Sequence, residues 1–318
     1  MDEIRHILVE RDILAGSRGG GGWLVQLLYA FQDDEHIYLA MEYVPGGDFR
    51  TLINGSGILH NEHARFYSAE MFLAVNALHR LGYIHRDLKP ENFLVGANGH
   101  IKLTDFGLSS GILANDRIES MRLKLDAVSQ GMIGDWGAGR RSVKDRRRDY
   151  RNLRENNVNY VASCSILLIQ AKSVVGSPDY MAPEVLHGTP YDHTVDYWSL
   201  GCMLFETLVG YPPFAGQTPD DTWVNLRHWR KVLVRPCYDK GSQDEEFNIA
   251  DIAWDFINRC ITERATRFQT IEEIMEDPYF TSSINRYPPI KWEKIRESNV
   301  FTSYLAANIA PVCARFRF

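Results

Sequence analysis

Cysteine is scarce and scattered in this chain. Its five thiols, Cys164, Cys202, Cys237, Cys260 and Cys313, form no CxxC pair. That argues against a disulfide framework or a cysteine-held zinc and suits a reducing interior. The opening residues, Met1-Asp2-Glu3-Ile4-Arg5, lack the apolar stretch of a signal peptide. The apolar run Ile166-Leu167-Leu168-Ile169 is far too short to span a bilayer. No internal repeat is visible. A net charge of −6 gives no global attraction to nucleic acid or to an anionic membrane. These absences predict a soluble cytoplasmic protein with no nucleic-acid partner and no membrane insertion. What the chain has is apolar content: 45% of 318 residues are hydrophobic, enough to bury a full core in one large domain or two lobes.

Along the chain, Ile4, Ile7, Leu8, Ile13 and Leu14 fall close to helical spacing, and the glycine run Gly19 to Gly22 ends that helix. Two strand-like segments follow, around Leu24–Phe31 and His36–Tyr43, separated by the polar turn Asp33-Asp34-Glu35. Pro45-Gly46-Gly47 then breaks the chain. From Asn61, a plausible N-cap, a long helix is predicted through Leu81, with Phe66, Met71, Leu73 and Leu78 on its apolar side. Asn98-Gly99 is a hairpin turn signal between Phe93-Leu94-Val95 and Ile101-Lys102-Leu103. Beyond Pro183 the pattern is helical again, and Trp198–Gly210 is the most apolar stretch.

Chemistry concentrates in the stretch His85-Arg86-Asp87-Leu88-Lys89-Pro90-Glu91-Asn92, followed by Asp105-Phe106-Gly107 and then Ala182-Pro183-Glu184. The order of these three pieces resembles that of protein kinases. The resemblance gives Asp87 the role of accepting the proton of a substrate hydroxyl, makes Lys89 a phosphate contact, and lets Asn92 and Asp105 hold Mg2+ against ATP phosphates. The expected fold class is α+β: a bilobal protein kinase fold with an incomplete N-lobe and a mainly helical C-lobe. Residues 1–43 would belong to the N-lobe and 44–280 to the C-lobe, with an activation segment over 105–184. Residues 281–318 resemble a remnant of a C-terminal tail.

Between the second and third anchors lies an insert, about residues 112–172, far longer than an ordinary connection. Arg140-Arg141, Lys144, Arg146-Arg147-Arg148, Arg151 and Arg154 make it strongly basic. It reads either as a solvated insertion or as an electrostatic element that regulates the neighbouring site. As a nucleic-acid binder it is weak, because it lacks interleaved aromatics.

The long basic insert after Gly111, the string Ser173-Val174-Val175-Gly176-Ser177-Pro178-Asp179-Tyr180-Met181, the piece Arg117–Met121 and the run Asp221-Thr222-Trp223 narrow the resemblance. They are similar to AGC-group serine/threonine kinases of the NDR/LATS subgroup, in the fungal branch acting in mitotic exit and septation. That resemblance implies Glu10 as the helix-C glutamate, Met41 as gatekeeper, and Glu42, Tyr43 and Val44 as the hinge, with Leu94 also at the nucleotide. It implies Ser173 as the activation-loop phosphosite, gripped by Arg86 through a guanidinium that suits phosphate oxygens. Ser177 would contact the catalytic loop and favour Ser/Thr acceptors. Asp48, Glu91 and Glu206 would hold arginines upstream of the target hydroxyl, giving a preference for Arg-x-x-Ser/Thr. Glu184 with Arg267, Asp196 under the catalytic loop, and the stack Leu14, Leu27, His85 and Phe106 would be structural. A Mob-type co-activator, an upstream activating kinase and residence at the spindle pole body and division site are implied in the same way.

Three departures accompany the resemblance. No Gly-x-Gly-x-x-Gly loop or Val-Ala-x-Lys strand precedes Glu10, so the chain reads as N-terminally truncated. Residues 161–170 look inserted, and no hydrophobic phosphorylation motif follows Pro288-Pro289. The alternatives to an active kinase are a pseudokinase scaffold and a binder of acidic surfaces or RNA.

Overall fold

The computed structural model describes residues 10–17, 21–34, 36–107, 109, 144–152, 178–187, 189–242, 244–283 and 288–297. Ser173, Ser177, residues 1–9, residues 161–170, the piece 117–121 and the far C-terminus lie outside the described residues.

The fold is α+β, with two small antiparallel sheets and a mainly helical body. Helix α1 covers residues 10–16, with Ile13 and Leu14 fully buried. Strands β1 (Leu27–Gln32) and β2 (Ile37–Met41) form the first ribbon, paired from Leu27↔Met41 to Gln32↔Ile37 with a bulge after Leu27. Leu28, Tyr29, Phe31, Ile37, Tyr38 and Met41 leave much of this ribbon apolar and exposed. Strands β3 (Phe93–Val95) and β4 (Ile101–Leu103) form the second hairpin. Its turn is where Asn98-Gly99 predicted it, with Gly99 at φ 82° and its amide donating to the Gly96 carbonyl at 2.9 Å. Gly46 is required for a different reason. Its amide donates to the Val95 carbonyl at 2.8 Å, and any side chain there would run into that carbonyl.

The helical body begins with α2 (Phe49–Ser56) and α3 (Asn61–Arg80). The predicted cap of α3 is displaced by one residue: His60 occupies the N-cap with extended geometry and no side-chain cap bond, and Asn61 is the first helical residue. Helix α4 (residues 144–152) is the described part of the basic insert. After α5 (Pro183–Leu186), helix α6 (Thr194–Val209) is buried along its whole length and ends at Gly210 with φ 91°. Such an all-round apolar helix belongs at the centre of a body, and α3 and Asp251–Cys260 pack on it. Phe72, Phe256, Tyr279 and Phe280 form a ring cluster around it, with centroids 5.0–6.3 Å apart.

The last described segment closes the molecule on itself. Trp292 sits 4.9 Å from the Phe280 ring. Arg296 lies 3.8 Å over the Trp23 ring and donates to the Gly22 carbonyl at 2.8 Å and the Ile101 carbonyl at 3.2 Å. No helix among the described residues is long and apolar enough to cross a membrane.

Candidate active site

Asp196 organises the catalytic-loop backbone. Its carboxylate, fully buried in the first turn of α6, accepts from the His85 amide at 2.9 Å and the Arg86 amide at 2.8 Å, and lies 2.7 Å from His79 Nε2. Burial alone would push this carboxyl up, but the His79 hydrogen bond, the charges of His79 and His85 and the Arg86 amide hold it below the usual aspartate range. Arg86 is thereby kept at φ 69°, a left-handed conformation costly for a non-glycine residue. Its Nη1 donates to the Tyr191 hydroxyl at 3.1 Å.

The next residues converge. Lys89 Nζ donates to Asp87 Oδ2 at 3.1 Å, and both side chains remain partly open to solvent. The turn Pro90–Asn92 turns Asn92 back, so that its Oδ1 accepts from the Lys89 amide at 3.1 Å while its Nδ2 donates to Asp105 Oδ2 at 3.0 Å. Asp105 is itself at φ 64°. The structure therefore brings Asp87, Lys89, Asn92 and Asp105 into one site. His85 and Phe106 lie behind it, both buried, with ring centroids 6.1 Å apart. Leu14 and Leu27 are buried as well.

Glu10 faces the same site, its carboxylate near Gly107 and Asp105. Burial first, and the Asp105 charge second, raise its pKa. Among the described residues no cation is paired with it. The donor chemistry around Asp105 and Asn92 is hard oxygen, which fits Mg2+. One carboxylate plus an amide suits an ion that takes its remaining ligands from water and phosphate, and no cluster of three metal-binding side chains exists among the described residues.

The proposed nucleotide positions are less enclosed. Met41 and Tyr43 are exposed, whereas Val44 is buried and Leu94 half-buried. The Glu42 side chain is committed: Lys102 Nζ donates to both its oxygens at 2.6 Å and the Gln26 amide to Oε1 at 2.9 Å.

The three expected recognition acids differ in their surroundings. Asp48 caps α2, accepting from the Thr51 amide at 2.7 Å and the Thr51 hydroxyl at 3.1 Å. Glu91 Oε1 accepts from Arg50 Nε at 3.3 Å. Glu206 is buried, clamped by both terminal nitrogens of Arg50 and by the Tyr180 hydroxyl at 2.5 Å. Sequence reasoning missed Arg50. The signal was a lone arginine on the face of α2 that buries Phe49, Leu52 and Ile53, where a charge needs a partner.

Helix α4 packs beside this group. Tyr150 is buried, its hydroxyl 3.4 Å from that of Tyr180. Arg146 is buried over the Tyr211 ring and donates to its hydroxyl at 2.7 Å, while Arg151 reaches the Asn54 carbonyl at 3.2 Å. Arg148 is exposed and pairs with Asp145 on its own helix. Under the body, Arg267 donates to Glu184 at 2.6 Å and to the Thr194 and Thr262 carbonyls, as the pairing expected from sequence requires.

Residues 1–126 and 125–280 match the family described as "Protein kinase domain". The chain is 54% identical over 296 residues to "Serine/threonine-protein kinase sid2" of Schizosaccharomyces pombe, covering 93% of this chain and 45% of that protein. It is 51% identical to "Serine/threonine-protein kinase DBF20" and 52% identical to "Cell cycle protein kinase DBF2" of Saccharomyces cerevisiae, covering 94% and 88% of this chain and 49% and 46% of theirs. The chain thus spans about half the length of the curated relatives it matches.

Proposed function

Because this chain belongs to the protein kinase family, we propose that it carries the catalytic apparatus of a serine/threonine kinase working in NDR/LATS-type cell-division signalling. The observation that carries the proposal is the chain of hydrogen bonds that runs from Asp87 to the Lys89 side chain, from the Lys89 amide to Asn92, and from Asn92 to Asp105. A binding module has no chemical need for all four.

In this reading Asp87 accepts the proton of the acceptor hydroxyl, and Lys89, beside it, places a positive charge where the transferred phosphoryl group gathers negative charge. Asp105 and Asn92 would hold Mg2+, which when bound neutralises charge on the phosphates of ATP. Asp48, Glu91 and Glu206 select protein segments with an arginine upstream of the hydroxyl. Phosphorylation of Ser173 by an upstream kinase supplies a dianion for Arg86, and a Mob-type co-activator and residence at the spindle pole body and division site follow from the NDR/LATS resemblance.

The test is transfer of labelled phosphate from ATP to an Arg-x-x-Ser peptide by the native protein. Asp87→Asn should leave less than about 1% of the activity, as expected for loss of a positioned base. An undiminished rate in that variant would remove the proposal. Equal rates on the peptide with alanine in place of the arginine would remove the substrate preference alone.

Among the described residues no cation pairs with Glu10, which favours a second reading, a scaffold that binds partners without transferring phosphate, and the same transfer assay separates the two. The burial of Arg146 and Tyr150 supports a regulatory role for the insert: α4 restrains the kinase until it is activated. Neutralising Arg146, Arg147 and Arg148 together should raise basal activity, and an unchanged or lower rate would count against restraint.

A further inference from the structure

The strand that delivers Asp105 is held along one edge by side chains. Strands β3 and β4 have three residues each, and a two-stranded ribbon that short is too weak to fix its own direction. Leu103, on the edge of β4 away from β3, finds backbone partners. Its amide donates to the Trp23 carbonyl at 2.8 Å, and its carbonyl accepts from the Val25 amide at 2.9 Å. Ile101, two residues earlier on the same edge, is met by side chains instead. Its amide donates to Glu70 Oε2 at 2.9 Å, and its carbonyl accepts from Arg296 Nη2 at 3.2 Å.

Glu70 comes from the middle of α3 and is completely buried. Its other oxygen lies 2.5 Å from His100 Nδ1. The His100 ring is buried too, 5.8 Å from that of Phe66, one helical turn ahead of Glu70. A carboxylate is costly to bury unless its oxygens are met, and here two consecutive residues meet them, one at each oxygen. The path onward is short. The Thr104 amide donates to the Asn92 carbonyl at 2.9 Å, and Asp105 follows at φ 64° with its Oδ2 on the Asn92 side chain. A non-glycine residue stays in the left-handed region only where its surroundings over-determine it, and Glu70 fixes the upstream end of that run.

We infer that Glu70 is a positioning residue for phosphate transfer: through His100 and Ile101 it anchors β4 and so sets where the Asp105 carboxylate stands. The inference rests on the proposed kinase function. Glu70 touches no reactant and acts only through β4. An apolar side chain would fill the same space in α3 but leave the Ile101 amide and the His100 ring nitrogen unmet.

The experiment uses the native protein with Mn2+ as the probe, a cation that takes the same oxygen ligands as Mg2+. Its binding is titrated by electron spin resonance with a non-hydrolysable ATP analogue present, alongside phosphate transfer as a function of Mg2+. Glu70→Met removes both acceptors at similar volume. It should weaken Mn2+ binding at least about tenfold, the size expected for outer partners of metal ligands, and raise the Mg2+ needed for half-maximal transfer by the same factor. Glu70→Gln should bring both back to within about threefold of wild type, because its oxygen accepts from Ile101 while its NH2 donates to Nδ1 of the other His100 tautomer. A side chain that only supported the fold would change the amount of active protein and leave the Mn2+ dissociation constant of the folded fraction as it was.

Wild-type Mn2+ affinity in folded E70M overturns the inference, and so does E70Q binding as weakly as E70M. If E70M does not fold, Glu70→Asp decides. It keeps the charge but is one methylene too short to hold both donors, so a loss of at least about threefold is expected and wild-type affinity is fatal. Failure of the kinase reading looks different. Wild type itself would then hold no Mn2+ with the nucleotide and transfer no phosphate, and the inference would fall with it.

Discussion

Replacing Asp196 with asparagine tests how the catalytic loop is held. The carboxylate serves three donors, and whichever oxygen becomes an NH2 group faces a buried backbone N–H, that of Arg86 or that of His85. One charge-assisted hydrogen bond is lost, worth about 1.5–3 kcal/mol, and a buried donor is left unmet at about 1–3 kcal/mol. A total of about 3–5 kcal/mol is a large share of the ~5–15 kcal/mol that holds a domain folded. The loss also frees Arg86 from φ 69°, so Asp87, the next residue, shifts. A displacement of about 1 Å there costs on the order of 100-fold in rate.

Urea unfolding measures the first effect, and the rate of phosphate transfer the second. The pH dependence supplies a check on mechanism. The folded carboxyl titrates below its unfolded value of about 3.9. Its contribution is therefore complete above about pH 5 and is lost as pH falls through the folded value. The gap between wild type and Asp196→Asn should shrink as pH falls below about 5. A gap under about 1 kcal/mol at pH 7, or one undiminished at pH 3, would refute the account.

Arg267→Met leaves Glu184 and two carbonyls without their donor and should cost ~3–5 kcal/mol in urea unfolding, as removing one partner of a buried pair does. Gly55→Ala, inside α2 with open space around the added methyl, should instead stabilise by about 0.5–1 kcal/mol in the same assay. Glu10 has its pKa raised by burial and by Asp105, so its favourable contribution exists below about pH 4.3 and is lost as pH rises through the folded value. Glu10→Gln should accordingly raise the melting temperature of the 318-residue chain at pH 7 and leave it unchanged near pH 4. Equal melting curves at both pH values would contradict this.

The local signals read well wherever chemistry and backbone share the same few residues. Asn98-Gly99 specified its hairpin because a tight turn needs φ > 0 there, and the loop from His85 to Asn92 assembled as its order implied. The register of the α3 cap went astray by one residue because a cap depends on backbone entry, and His60 takes the extended geometry without a cap bond. Arg50 was illegible for a different reason. Its partners Tyr180 and Glu206 are 130 and 156 residues away, and only tertiary structure reveals that the acid taken for substrate already has a cation. The same holds for Glu42, whose partner Lys102 comes from the opposite hairpin.

The contact of Arg296 with Trp23 and Gly22 has a kinetic side. Its two ends are 274 residues apart in the chain, whereas α3 meets β4 and α6 over far shorter separations. Loop-closure entropy rises with the length closed, so contacts of such span form after the nearer ones have compacted the chain. The helical body should therefore gain its protection from solvent before the first ribbon is tethered to it, and opening should begin where folding finished. In hydrogen exchange, the amides of Val25 and Leu103, which bond across this seam, would be released by a partial opening well short of global unfolding. Those of α6 would wait for the whole molecule to come apart.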